Sequence, residues 1–275
     1  MLLAASALLL GIPAAATASA SPAAQGTGWI RLAHLSPNTP PVDVYLYSFG
    51  NAQIVLHHVA YGTVSPYEAV TAGDYSVAMR LAGAAASSPA VVTAGVTIKA
   101  DHAYTVAGMG PKSGLRLQVM DDQLTTPAGK GMVRVIQASL KQQTVKVTCG
   151  GQTIVPKATF ASVSSYQAIP PGTWTMAAIG SGSTAKEVVP VAAGTVHTLV
   201  VLDGANGLEM VSLVDAAGAG KPPVGGVTTG FGGTAGHGPG SPAPWLALIG
   251  AGALVTLVAG LRLRRNGSRR LNTGI

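Results

Sequence analysis

YGTVSPYEAVTAGDYSV, residues 61–77, returns 99 positions later as FASVSSYQAIPPGTWTM, residues 160–176. Val64, Ser65, Tyr67, Ala69 and Gly73 of the first stretch meet Val163, Ser164, Tyr166, Ala168 and Gly172 of the second. Upstream, IRLAHLSP from Ile30 answers VRVIQASL from Val133, and downstream Gly114 and Leu115 answer Gly207 and Leu208. The chain is a tandem duplication. A period near 100 residues is too long for a solenoid unit, which buries no core alone, and suits two self-contained small domains. They are expected at residues 27–124 and 130–216, with Pro127 and Gly129 in the join.

Charged residues make up 10% of the chain, against about a quarter in ordinary domains. Valine, threonine and glycine are abundant, and short alternating runs are separated by turn signals, the pattern of an all-β sandwich or barrel. In the first copy the alternation predicts strands near 30–34, 42–47, 53–59, 65–70, 75–81, 91–98, 104–109 and 115–120, and the second copy repeats the series. Val42, Val44 and Leu46 alternate with Asp43, Tyr45 and Tyr47, which predicts one packed and one wet face. Gly150-Gly151 reads as a two-residue hairpin loop, because both central positions of a type I′ turn need positive φ. Cys149 falls on the apolar side of VKVTC, a buried small hydrophobe rather than a reactive thiol. The expected fold is all-β, two tandem Ig-like antiparallel β-sandwiches.

The ends carry address signals. Residues 1–20 combine an apolar run with Ala18-Ser19-Ala20, a secretory signal peptide with a small-residue cleavage site. Glycine and proline dominate residues 217–244, a composition that packs no core and predicts a stalk. Residues 245–263 form an apolar run that suits one transmembrane helix, and residues 264–275 a basic cytoplasmic tail. The expected topology is type I at the cell membrane, with both domains extracellular. Five arginines cluster between Arg262 and Arg270, and the rest of the chain holds 12 basic against 10 acidic residues. The net charge of +7 therefore reports topology and excludes a nucleic-acid surface. The apolar span and arginines are similar to Gram-positive wall-sorting signals, but no Leu-Pro-x-Thr-Gly precedes Trp245. A retained membrane anchor follows.

HLSPNTPPVDVY from His34, YGTVSPY from Tyr61 and the Ala-Gly-Asp-Tyr turn after it resemble the exported bacterial, actinobacterial-type family called domain of unknown function 4397. His34, Ser36, Pro37, Pro40, Val42, Asp43, Val44 and Tyr45 fit its motif, with Asn38 in place of the usual aspartate. In the second copy Gln137, Leu140 and Lys146 stand where His34, Pro37 and Asp43 stand. The resemblance implies an exported β-sandwich with no established activity, and implies that the second copy keeps the fold while losing the motif's role.

Candidate chemistry is sparse. Ser183-Thr-Ala-Lys186, Ser36-Pro-Asn38 and Lys112-Ser-Gly114 imitate penicillin-binding motifs, but in the wrong order and without a helix to set serine one turn from lysine. His57-His58 point to opposite faces of a strand, and His34 with Asp43 lacks a metal-site spacing. Asp121-Asp122 reads as a solvated strand end. No catalytic, metal or cofactor residue is assigned. The candidate patch is His34, Ser36, Asp43, Tyr45, Tyr61 and Tyr67, where rim aromatics would meet sugar or protein; the competing reading has His34 fixing its loop and the tyrosines filling core and tying turns. The expected function is a non-enzymatic surface module for structure, adhesion or ligand binding, its partners the membrane and an envelope polysaccharide or surface protein. An envelope enzyme or sensor ectodomain of unknown substrate is the alternative.

Overall fold

The computed structural model describes residues 26–48, 51–218 and 223. The segments read as signal peptide (1–20), membrane span (245–263) and basic tail (264–275), and all but three residues of the stalk, lie outside the described residues. Among the described residues no helix is long and apolar enough to cross a membrane.

The first copy contributes β1 (Thr27–Leu35), β2 (Val42–Ser48), β3 (Asn51–Val59), β4 (Glu68–Thr71), β5 (Gly73–Leu81), β6 (Val92–Ile98), β7 (Ala103–Met109) and β8 (Arg116–Asp122). The second contributes β9 (Gly131–Gln137), β10 (Thr144–Cys149), β11 (Gln152–Thr159), β12 (Ser162–Val163), β13 (Gln167–Ile169), β14 (Gly172–Ile179), β15 (Thr184–Val191), β16 (Thr195–Gly204) and β17 (Gly207–Ala217). Each copy is a sandwich of two sheets. The first has orders β4-β1-β7-β8 and β3-β2-β5-β6; the second has β12-β9-β16-β17, with β13 also on β9, and β11-β10-β14-β15.

This order departs from the immunoglobulin arrangement, in which the first two strands share a sheet. Here β1 and β2 lie in different sheets, and β1 runs parallel to β7 as β9 does to β16. The reason lies in the strands. From Ile30 to Leu35 every residue of β1 is buried, and β7 and β9 are buried along their whole lengths. Strands without a wet face belong in the middle of sheets covered on both sides, where parallel pairs are normally found.

The covering on the second side comes from the other copy. Each sandwich has its own core, around Val44, Val77 and Val106 in the first and Val147, Met176 and Leu199 in the second. A third apolar cluster joins Leu35, Ala107, Met109 and Met120 to Ile136, Val200, Leu202 and Leu213. The β1 and β9 sheets therefore pack face to face, giving four layers in one compact unit. Each copy thus has a core of its own, and the two share another between them. Cys149 is buried in the second core, and Gly150 and Gly151 take φ of 55° and 86°, the turn the sequence predicts.

Candidate functional site

Two buried arginine–aspartate pairs lie on the shared seam, and they repeat with the duplication. Arg31 on β1 and Arg134 on β9 occupy equivalent positions, each inside an otherwise apolar stretch. Arg31 donates from Nε to Thr105 Oγ1 of its own copy (2.7 Å) and from Nη2 to Asp215 Oδ1 of the other (2.8 Å). Arg134 donates to its own Thr198 Oγ1 (2.9 Å) and to Asp122 of the first copy. Each threonine passes a hydrogen bond to the aspartate of its own copy, Thr105 to Asp122 and Thr198 to Asp215. Tyr67 donates to Asp122 (2.6 Å) and Tyr166 to Asp215 (3.2 Å), while their rings lie under Arg31 and Arg134 at 4.5 and 4.9 Å. The ion pairs are exchanged between the copies.

Burial opposes the charge on Arg31, but Asp215, the Tyr67 oxygen and Asp122 together outweigh it and raise its pKa. Burial raises the Asp122 carboxyl despite Arg134 and Arg31. The two cations and two anions balance, and every side chain of the set holds another, so the set fastens one copy to the other. Asp121 is exposed as the sequence suggests, but Asp122 is not a solvated strand end: it is only 3% exposed, because the second copy covers it.

The six motif residues do not assemble into one surface. His34, Ser36, Asp43, Tyr45 and Tyr67 are buried, and Tyr61 is half-buried. His34 Nδ1 accepts from Ser36 N–H (3.5 Å) and Nε2 donates to the Pro40 carbonyl (3.3 Å), fixing the β1–β2 loop. Ser36 Oγ donates to the Gly110 carbonyl (2.6 Å). The Asp43 carboxylate accepts from His58 N–H (2.8 Å) and Gly83 N–H (3.1 Å). Burial alone would raise the pKa of Asp43, but these amides and His57 lower it. Tyr61 donates to the Ala138 carbonyl and accepts from Asp203 N–H, both of the second copy. The face expected to be wet is covered at Asp43 and Tyr45 because the ten-residue β5–β6 connection, 82–91, folds back over it. Of the other motifs, Ser183 sits in the β14–β15 turn and accepts from Leu208 N–H, and no group of three or more metal-ligating side chains occurs among the described residues.

One open site lies beside the motif, on the outer face of the β3-β2-β5-β6 sheet. A trough of about 550 Å³ is lined by Tyr47, Asp74, Tyr75, Ser76, Ala78, Arg80 and Thr93. Tyr45 and Tyr47 stack (ring centroids 5.8 Å apart), and the Arg80 guanidinium lies 4.9 Å from the Tyr45 ring centre. Arg80 is held by the Ser88 carbonyl (2.9 Å) and the Tyr47 hydroxyl (3.1 Å). In the second copy the strand registers place Lys146, Thr148, Gly150 and Ile179 where Asp43, Tyr45, Tyr47 and Arg80 stand, so this shelf belongs to the first copy alone. A second depression, about 460 Å³, opens at the seam beside His102, Asp121 and Tyr166.

The model of the family described as domain of unknown function (DUF4397) matches residues 28–148 and 131–225, two matches that overlap over 131–148. No curated protein sequence matches the chain. Among solved structures, the TIE protein of Bacillus anthracis aligns at 12% identity and a TM-score of 0.23, over 68% of this chain and 34% of its own length, so the chain spans about a third of it. CBMbc, a family CBM26 protein from Eubacterium rectale Amy13K solved with maltoheptaose, aligns at 14% identity and a TM-score of 0.23, over 68% of this chain and 95% of its own. A candidate cell adhesion protein of Bacteroides uniformis aligns at 12% identity and a TM-score of 0.21, over 69% and 98%.

Proposed function

We propose, for a chain that belongs to the DUF4397 family, the role of a non-enzymatic cell-envelope binding module. It is exported, held by a single type I span at residues 245–263, and binds an envelope polysaccharide on the outer face of its first sandwich. The observation that carries this reading is the Tyr47–Arg80 trough and its loss from the second copy, which keeps the sandwich and the buried fastening. Tyrosine rings take the C–H faces of pyranoses, while Arg80, Asp74, Ser76 and Thr93 offer donors and acceptors to hydroxyls. The volume lies within the roughly 300–1,000 Å³ of small-ligand sites.

Retention of the full-length protein on isolated envelope polysaccharide tests it. Tyr47→Ala and Arg80→Ala should each weaken binding about tenfold, or about 1.4 kcal/mol, and Ile179→Ala, at the place of Arg80 in the second copy, should not. Retention on envelope protein but not polysaccharide, or polysaccharide binding indifferent to Tyr47, would overturn the assignment. In a Cys149→Ser background, a cysteine replacing Thr229 should react with an impermeant reagent on intact cells and one replacing Ser268 should not; the reverse labelling would sink the topology.

A further inference from the structure

We infer that the chain pairs with a second copy of itself along β6, in an antiparallel β6–β6′ ladder centred on Gly95. Alternate backbone N–H and C=O groups of an edge strand face outward and template pairing, and proteins blunt them with charge, proline, bulges or short length. Most edges here are blunted. β4 is four residues long, and β12 and β13 are two and three. β3 bulges at His57-His58, β8 carries Arg116 and Asp121, β11 carries Pro156 and Lys157, and β17 carries Glu209 and is bulged against β16. β15 occupies the place of β6 in the second copy, and Lys186 and Pro190 stand on it where Thr93 and Thr97 stand on β6.

β6 itself reads VTAGVTI, seven residues with no charge, proline or register shift, and it ends its sheet. The sequence is also complementary to itself about Gly95. Antiparallel pairing places Thr93 opposite Thr97′ on the outer face, and Val92 opposite Ile98′ and Ala94 opposite Val96′ on the core side. Thr–Thr and apolar cross-strand pairs are favourable, and no like charges meet. An isologous contact of this kind closes as a two-fold dimer.

The ladder would also join the two open faces. Tyr47, Ser76 and Gly95 form one row across β2, β5 and β6. The dyad continues it through Gly95′ and Ser76′ to Tyr47′, five strand spacings or roughly 24 Å away. The pairing itself does not depend on what the trough binds.

Disulfide trapping in the full-length Cys149→Ser protein tests the ladder. Residues facing each other across an antiparallel dyad have Cα atoms about 4.5–5.5 Å apart, within disulfide reach. Gly95→Cys should therefore give an oxidised homodimer. Thr93→Cys should not, because its own mate lies about 14 Å along the ladder, but it should cross-link to chains carrying Thr97→Cys. A Cβ at Gly95 would approach only the Tyr75 carbonyl, at 3.9 Å, so these side chains fit the fold. Gly95→Lys, which restores the missing edge charge, should cut the dimer fraction at least about tenfold, while the melting temperature at a dilution where both proteins are monomeric stays the same. Equal cross-linking at positions 93 and 95, none at either, or capture of a different protein by Gly95→Cys would each overturn the inference.

Discussion

His34 and Gln137 show what the family motif does at the level of single residues. Gln137 Oε1 accepts from Ser139 N–H (2.8 Å) and its Nε2 donates to the Gln142 carbonyl, the same two services that His34 renders to Ser36 and Pro40. A glutamine thus does the work of the histidine in the same fold. His34→Gln should cost less than about 1 kcal/mol, whereas His34→Ala, which strands a buried amide and carbonyl, should cost about 2–4 kcal/mol in chemical denaturation. Burial lowers the His34 pKa, partly offset by the Pro40 and Thr39 carbonyls, and burial lowers that of His197 against Asp215. Below the ordinary value of about 6.5 the unfolded chain then binds more protons than the folded one, so stability should fall as pH drops through that value. His34→Gln should flatten the loss between pH 7.5 and 5.5, and an unchanged slope would refute the assignment. The sequence displays His34 as part of a motif, but spacing does not separate a binding patch from a loop tie, because burial is decided by segments far away. Arg31 and Arg134 were legible in principle: each interrupts an apolar run at the same place in both copies, which is unfavourable unless a buried partner waits.

Asp43 ties two elements together, and the second copy supplies the comparison. The β2–β3 ladder bulges where His57 and His58 oppose Asp43, His58 takes a φ of 54°, and the carboxylate receives its amide and that of Gly83. The second copy bulges at the matching point with Pro156 and Lys157, carries Lys146 in place of the aspartate, and turns from β14 to β15 in four residues, 180–183. Where the long connection is absent, its anchor is absent. Asp43→Lys should therefore destabilise the protein by about 2–4 kcal/mol, the cost of orphaning two amides. Replacing residues 82–91 by Gly-Ser-Gly-Ser in the same variant should recover a large part of that loss. Thermal melts of the pair decide it, and equal melting temperatures would detach Asp43 from the loop. The strands themselves were legible within a few residues, since alternation is local. Their order was not, because the parallel β1–β7 pairing joins segments some seventy residues apart.

For the whole molecule, the seam should make the two duplicated sandwiches one cooperative body. Isolated copies would expose the apolar surface around Met109 and Ile136 and leave Arg31 and Arg134 without carboxylates from the other half. Cleavage confined to residues 123–130 should leave both halves eluting together, with a single calorimetric transition before the cut. Asp215→Ala, which strands Arg31, should let the nicked halves separate on dilution, because the join no longer supplies a high effective concentration. Separate transitions in the uncut protein would show that the copies act alone. The exchange of ion pairs also decides how the body carries a load. Arg31, on the first strand of the described residues, grips Asp215, two residues before the last of those strands ends at Ala217. Tension arriving at the end of β17 thus meets the first copy directly at Asp215, in parallel with the covalent path through residues 123–130, and the last strand does not peel away before that buried pair has been drawn apart.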